Sequence, residues 1–313
     1  MAEPVVSAIF LFNNRFEPNV PILDDLYRDR FSRRTYVMPF ATLDRPDVVR
    51  VQEAGWYFHG HLAQAADRIL DDAVTHYVVI SDDLVLNPAI NEDNILDKLN
   101  LGERAAWIKS LAGADRHRHS FPWAADGAFQ MQRTMGSDLW QMLPSPEEAK
   151  RRFEALGIGF PKPVPRTPAE FRLLFWQLPR QAKLIWLHLL AMTGRPSPYP
   201  LLMGYADFLV LPAHGMKRFL ELCGIFAAMN LFVELAIPTI LPLVYDEIQT
   251  ELEHDQDFRI LTSTRRPDAP LKGQELVDVD PLGERLGWSR RRLMNEFPAD
   301  WLYVHPIKFS RWK

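Results

Sequence analysis

Over residues 1–90 the apolar positions alternate between two rhythms. Residues 5–12 are an unbroken apolar run that stops at Asn13-Asn14-Arg15, which predicts a strand buried on both faces of a parallel sheet. Residues 19–31 carry Ile22, Leu23, Leu26, Tyr27 and Phe31 at three- and four-residue spacing, which predicts a helix. Residues 34–40 read as a second strand, and residues 56–70 as a second helix with Phe58, Leu62, Ala65, Ala66 and Ile69 on one face. Residues 76–81 are a third strand, ending at Asp82-Asp83. Strands alternating with helices predict an α/β unit. Ligands bind such sheets beyond the carboxyl ends of the strands, where Asn13-Asn14-Arg15 and Asp82-Asp83 both fall.

Beyond residue 90 the rhythm changes. Residues 91–197 read as mostly helical with proline-rich joints, a helical elaboration within the α/β unit. Residues 144–155 predict a capped helix, with Ser145 before Pro146 and Glu147 and Glu148 in the first turn. Residues 158–168 read as a loop and 168–192 as one or two helices. Residues 201–212 return to a strand pattern, 217–236 read as helix, 267–281 as a polar loop, and 301–304 as a last strand.

Composition narrows the class. The 313 residues are 47% hydrophobic and 24% charged, as in a globular protein, and the length suits one large domain or two smaller ones. The net charge of −4 leaves no overall basic footprint for nucleic acid. The sole cysteine, Cys223, excludes an intramolecular disulfide and any multi-cysteine metal site, and its apolar surroundings predict plain burial. Residues 225–245 are long enough to span a bilayer but contain Asn230, Glu234, Pro238 and Pro242, so they read as a buried element that turns at the prolines. With no basic stretch before an apolar one at the N-terminus, the expectation is a cytoplasmic protein, peripheral membrane contact remaining open. No Gly-x-x-x-x-Gly-Lys-Ser/Thr, Gly-x-Gly-x-x-Gly or Gly-x-Ser-x-Gly occurs, which disfavours a P-loop, a dinucleotide fingerprint and a serine-hydrolase elbow.

The sharpest chemistry lies in residues 77–88, Tyr-Val-Val-Ile-Ser-Asp-Asp-Leu-Val-Leu-Asn-Pro. An apolar strand delivers two adjacent carboxylates to its exit. They repel each other unless a donor or a cation neutralises them, and a hard ion such as Mg²⁺ or Mn²⁺ bridging phosphate oxygens suits them. Asp also favours turns and helix N-caps, so a solvated turn accounts for the same pair.

This segment, with the opening Ala8-Ile9-Phe10-Leu11-Phe12-Asn13 and its following helix, resembles the nucleotide-diphospho-sugar glycosyltransferases of the GT-A fold. The resemblance implies a single GT-A-like domain over 1–313, with a Rossmann-like GT-A-type mixed sheet flanked by helices, a nucleotide-sugar donor, and a divalent cation (Mn or Mg) on its diphosphate. It implies Asp82 and Asp83 as metal ligands, with Ser81 standing where many members have the first Asp of the motif. In the tail Val304-His305-Pro306-Ile307-Lys308 it implies His305 as a further ligand and Lys308 as a contact to the leaving diphosphate. Here the spacing is tighter than the family pattern and its intervening Gly is missing. Asn13 and Arg15 would meet the nucleotide. Asp207, in Met203-Gly204-Tyr205-Ala206-Asp207, stands in the relative place of an acceptor-binding segment.

Other groups bear on the same question. Gly204 would let a backbone approach a ligand closely. Glu234 stands in the apolar run Phe232-Val233-Glu234-Leu235-Ala236, where a carboxylate is either ion-paired or functional, and burial would raise its pKa toward that of a general base. Glu234 and Asp207 are the predicted catalytic pair, acting on hydroxyls of the acceptor, a glycan or other hydroxyl compound, or of the donor. His59-Gly60-His61 with Asp82 and Asp83 offers a rival, a metal-dependent hydrolase. A non-catalytic sugar-nucleotide-binding protein is a third reading, kept alive by Ser81. Arg116-His117-Arg118-His119 reads as an exposed basic loop that could attract an anionic acceptor or a phosphate, and Trp288 before Arg290-Arg291-Arg292 could suit single-stranded nucleic acid or a glycan phosphate, but nothing else points to nucleic acid.

Overall fold

The computed structural model describes residues 4–117, 122–160, 197–252, 271–276 and 279–313. The predicted α/β class is observed. Among the described residues the strands are β1 (Val6–Leu11), β2 (Arg33–Pro39), β3 (Val48–Val51), β4 (His76–Ser81), β5 (Val85–Leu86), β6 (Ala106–Ile108), β7 (Ala112–Gly113), β8 (Leu202–Met203), β9 (Phe208–Pro212), β10 (Ile248–Thr250), β11 (Lys272–Glu275) and β12 (Trp301–His305). The α-helices are α1 (Asn19–Tyr27), α2 (Phe58–Gln64), α3 (Ala66–Ile69), α4 (Ile95–Leu99), α5 (Pro122–Thr134), α6 (Asp138–Gln141), α7 (Pro146–Ala155), α8 (Ala213–Ala228), α9 (Val233–Val244), α10 (Asp280–Leu286) and α11 (Arg290–Asn295).

Seven strands form one mixed sheet in the order β10-β6-β9-β4-β1-β2-β3. β1 pairs in parallel with β2 and β4, and β9 runs antiparallel between β4 and β6. The apolar run of β1 shows why this strand is central. Ile9 and Leu11 join the core under α2, α8 and α9, while Ala8 and Phe10 join the core under α1 and β12. A strand with a core on each face tolerates no polar alternation. A small sheet β11-β12-β5 lies at one side, with β12 parallel to β11 and antiparallel to β5. Because β5 follows β4 after the Asp82-Asp83 turn, this pairing carries the end of β12 to the exit of β4.

Several predicted elements differ in extent. The helix expected over 56–70 is a 3-10 turn (Gly55–Tyr57) followed by α2 and α3, divided at Ala65. β3 was not predicted; at four residues it is too short for a periodicity reading. The stretch 91–197, expected to be helical, also supplies β6 to the main sheet and β7 to a small ladder with β8. Within it, α7 is capped as expected, Ser145 Oγ accepting the Glu148 N–H at 3.2 Å. The loop and helices expected over 161–192, and Arg118 and His119, lie outside the described residues. The loop expected over 267–281 contains β11.

The turn predicted at Pro238 and Pro242 is absent: α9 is continuous with both prolines inside it. Pro238 has no N–H for the Glu234 carbonyl four residues earlier, and the Gly204 N–H donates to that carbonyl at 3.1 Å instead. No described helix is long and apolar enough to cross a membrane. Cys223 is fully buried in α8, as its surroundings predict.

Candidate active site

The sheet's carboxyl-end edge collects the chemistry. β4 ends at Ser81. Because β9 runs antiparallel, its entry residue Asp207 lies beside Ser81: the Ser81 N–H donates to the Asp207 carbonyl at 2.9 Å, and Ser81 Oγ donates to Asp207 Oδ1 at 3.0 Å. Next comes Asp83, whose carbonyl accepts the Ile307 N–H at 2.6 Å and so ties the β4 exit to the tail after β12. His305, the last residue of β12, puts Nε2 3.3 Å from Asp83 Oδ1 and 3.7 Å from Asp207 Oδ1. Nε2 and Asp83 Oδ1 meet as an ion pair, and among the described residues no donor in hydrogen-bond geometry reaches that buried oxygen.

Two residues that sequence reasoning missed complete the cluster. Glu275, at the end of β11, lies opposite His305 in the parallel register, and its Oε2 is 2.6 Å from His305 Nδ1. Lys109, just after β6, places Nζ 3.5 Å from Glu275 Oε1. A run of polar residues hid the first, and a three-residue strand the second.

The charges do not balance. Among the described residues, the cations that act on Asp207, Glu234 and Glu275 are Lys109 and His305, and His305 also pairs with Asp83. Burial raises Asp207 above the usual carboxylate range, with Glu275 and Asp83 adding to the rise against the pull of His305. Burial, then Asp207 and Glu275, push Glu234 up to about 8. For His305 burial opposes the charge, but Asp207, Asp83 and Glu275 outweigh it and hold the imidazole well above its ordinary range. Glu275 is raised by burial yet brought below its usual value by His305, Lys109 and Tyr303. An excess of buried carboxylate beside one imidazole suits a hard or borderline divalent cation. As the side chains stand, no three His, Cys, Asp or Glu among the described residues are arranged as a metal-binding group.

Of the predicted residues, the structure brings Ser81, Asp83, Asp207 and His305 together, with Glu234 in their electrostatic range. Asp82 points elsewhere. It is buried, its Oδ2 accepts from Asn19 Nδ2 at 2.9 Å, and the Asn13 N–H donates to its carboxylate. Burial, and then Asp83, push its pKa up to about 7. Asn13 therefore meets Asp82 through its backbone, and among the described residues its own buried Oδ1 has no hydrogen-bond partner. Arg15 and Lys308 are exposed at the same end of the molecule.

Two sequence expectations are corrected. Gly204 does not open toward a ligand; a Cβ there would lie 2.1 Å from the Ser110 carbonyl oxygen, so the close approach is internal. His59 and His61 do not join Asp82 and Asp83. Both are fully buried in α2, His61 Nε2 bonds the Glu53 carbonyl at 3.1 Å, and burial lowers His59 to about 3, keeping it neutral. At Trp288 the Arg311 guanidinium lies 3.7 Å over the ring, and Arg292 of the neighbouring arginine run pairs with Glu296.

No protein-family model and no curated protein sequence matches this chain. Among solved structures, the apo form of mouse xyloside xylosyltransferase 1 aligns over 96% of this chain and 98% of that one, with 9% identical residues and a TM-score of 0.35. That is a distant resemblance, too slight to fix either fold or activity.

Proposed function

We propose that this chain is a glycosyltransferase that moves a sugar from a nucleotide-diphosphate donor to a hydroxyl acceptor. The observation that carries the reading is the convergence of Asp83, Asp207 and His305 from three separate strand ends on one carboxylate-rich site. In this reading Asp83 and His305 would hold a divalent cation, Mn²⁺ or Mg²⁺, and Asp207 lies within reach of it. When bound, the ion supplies positive charge for the diphosphate oxygens of the leaving group. Lys308, exposed just beyond His305, adds an ammonium on the same side. Asn13 and Arg15 border the nucleotide, and Asp82 shapes that border by holding Asn19 and the Asn13 backbone.

The two predicted catalytic carboxylates separate in role. Asp207 accepts from Ser81 and lies 3.7 Å from His305 Nε2, so it joins the β4 and β9 ends beside the imidazole. Glu234 has a pKa near 8, in the range that lets a carboxylate take a proton from an acceptor hydroxyl near neutral pH. Glu234 is therefore the general base of the proposal. The rival hydrolase lacks its ligand set, because His59 and His61 are buried apart from the acidic pair.

The test combines binding and turnover. Thermal unfolding is followed with common sugar nucleotides, with and without Mn²⁺, and transfer or slow donor hydrolysis is then measured with those that stabilise. Glu234→Gln should lower kcat on the order of 100-fold or more while nucleoside-diphosphate affinity stays within about twofold. No stabilisation by any sugar nucleotide, with metal or without, would remove the proposal. Donor binding without turnover in the parent protein would favour the binding-protein reading.

A further inference from the structure

Behind His305, on its Nδ1 side, Glu275 and Lys109 are joined by further residues. Glu275 Oε2 meets His305 Nδ1 at 2.6 Å, and its other oxygen accepts the Tyr303 hydroxyl at 2.6 Å. Lys109 Nζ lies 3.5 Å from that same oxygen and donates to the Gly273 carbonyl at 2.7 Å. The ammonium also sits over the rings of Tyr205 and Tyr303, at 5.1 and 5.6 Å from their centroids. Backbone bonds lock the same parts: the Leu276 N–H donates to the His305 carbonyl at 2.7 Å, and the Gly273 N–H to Glu251 Oε2 at 2.6 Å. Gly273 is required for this approach, since a Cβ there would lie 2.3 Å from Tyr303 Cζ.

Such a buried array is costly unless each polar group is matched, and here most are matched to each other. Its geometric effect is specific. An imidazole has two nitrogens, and the hydrogen bond at one decides what the other can do. With Nδ1 held by Glu275, Nε2 is the nitrogen left toward Asp83 and Asp207.

We propose that Glu275, supported by Lys109 and Tyr303, is a positioning residue that fixes the His305 ring so that Nε2 faces the site. The inference rests on the preceding reading only for the identity of the ion at Nε2; the clamp itself is a statement about this chain. Carboxylates that orient a ligating imidazole typically change metal affinity by ~10- to 100-fold when removed.

The experiment uses the full chain, with Glu275→Gln and the milder Tyr303→Phe. Mn²⁺ alone is titrated calorimetrically, and the ring of His305 is followed in ¹⁵N-histidine-labelled protein without metal, its signal identified by His305→Gln. The clamp predicts a downfield Nδ1 proton hydrogen-bonded to a carboxylate in the parent. That signal is lost in Glu275→Gln and shifted in Tyr303→Phe, with Mn²⁺ affinity falling at least about tenfold in the former. An unchanged Nδ1 signal in Glu275→Gln overturns the inference. Should that variant fail to fold, Tyr303→Phe decides: a shifted signal supports the clamp, and an unmoved one overturns it. A parent protein that binds no Mn²⁺ would count against the ion of the proposed function, and the clamp would then stand or fall on the ring signal alone.

Discussion

At the scale of the residue, Glu234 is the most exacting case. Its carboxyl titrates near 8 in the folded chain and near 4.5 when unfolded, so the folded state holds its proton more tightly. The sign follows. Stability carries no penalty from this group below about pH 4.5, declines as pH rises from there to about 8, and is level beyond. Glutamine has no charge to bury, so Glu234→Gln should be more stable than the parent by a margin that widens between pH 5 and 8, reaching a few kcal/mol at most. Denaturant melts in EDTA at pH 5, 6.5 and 8 measure this, and a margin constant with pH would show that the carboxyl is not raised. The residue was legible because a lone acid in an apolar run must be either paired or perturbed. Asp83, Asp207 and His305 were legible by position, each at a strand end. Glu275 was not, because the charge pattern around residues 267–281 is that of a loop, and only the β12 pairing makes it a strand. Asp82 was legible as chemistry but not as direction: of two adjacent acids leaving a strand, one turns inward to Asn19 and the other toward His305.

At the scale of the element, α9 shows where local rules yield to tertiary contacts. Two prolines predict a break, yet the helix runs through them because β8's neighbour Gly204 supplies the donor that Pro238 lacks. The same residue touches the strand end on its other side, its Cα facing the Ser110 carbonyl with no room for a side chain. Gly204 thus joins α9, which carries Glu234, to the segment after β6, which carries Lys109. Gly204→Ala should cost about 1–3 kcal/mol, because backbone rather than a flexible side chain must move. It should also lower activity more than a loss of that size elsewhere would, since both sides of the site shift. Thermal melts and kcat on the same preparations test this; an unchanged melting temperature would mean that the contact is slack. Period and capping made β1, β4, α1 and α7 readable, since each satisfies its own pattern locally. β3, β6 and β11 are too short to carry a period and are strands only because a neighbour pairs with them.

At the scale of the whole molecule, a net charge of −4 conceals a local excess of buried acid, and the proposed ion connects the two. Free of metal, the chain must either bury those carboxylates charged or keep them protonated. Glu234, near 8 and within electrostatic range of His305 and Asp207, is protonated at pH 5.5 and increasingly charged by pH 8. A divalent cation binds deprotonated ligands and favours the charged state of carboxylates around it, so its stabilising effect must grow with pH. Saturation at about 100 times Kd corresponds to roughly 2.7 kcal/mol, an increase of several degrees in Tm for a chain of this size. The prediction is a Mn²⁺-induced rise in Tm of several degrees at pH 8 that shrinks toward zero at pH 5.5, measured against EDTA-treated protein at equal ionic strength. Asp83→Asn should abolish the rise at both pH values, whereas Asp82→Asn should leave most of it, because Asp82 is turned to Asn19 and away from His305. An equal response in the two variants would mean that the adjacent acids act as one ligand pair, and an equal response at the two pH values would mean that the ion binds somewhere other than this carboxylate cluster.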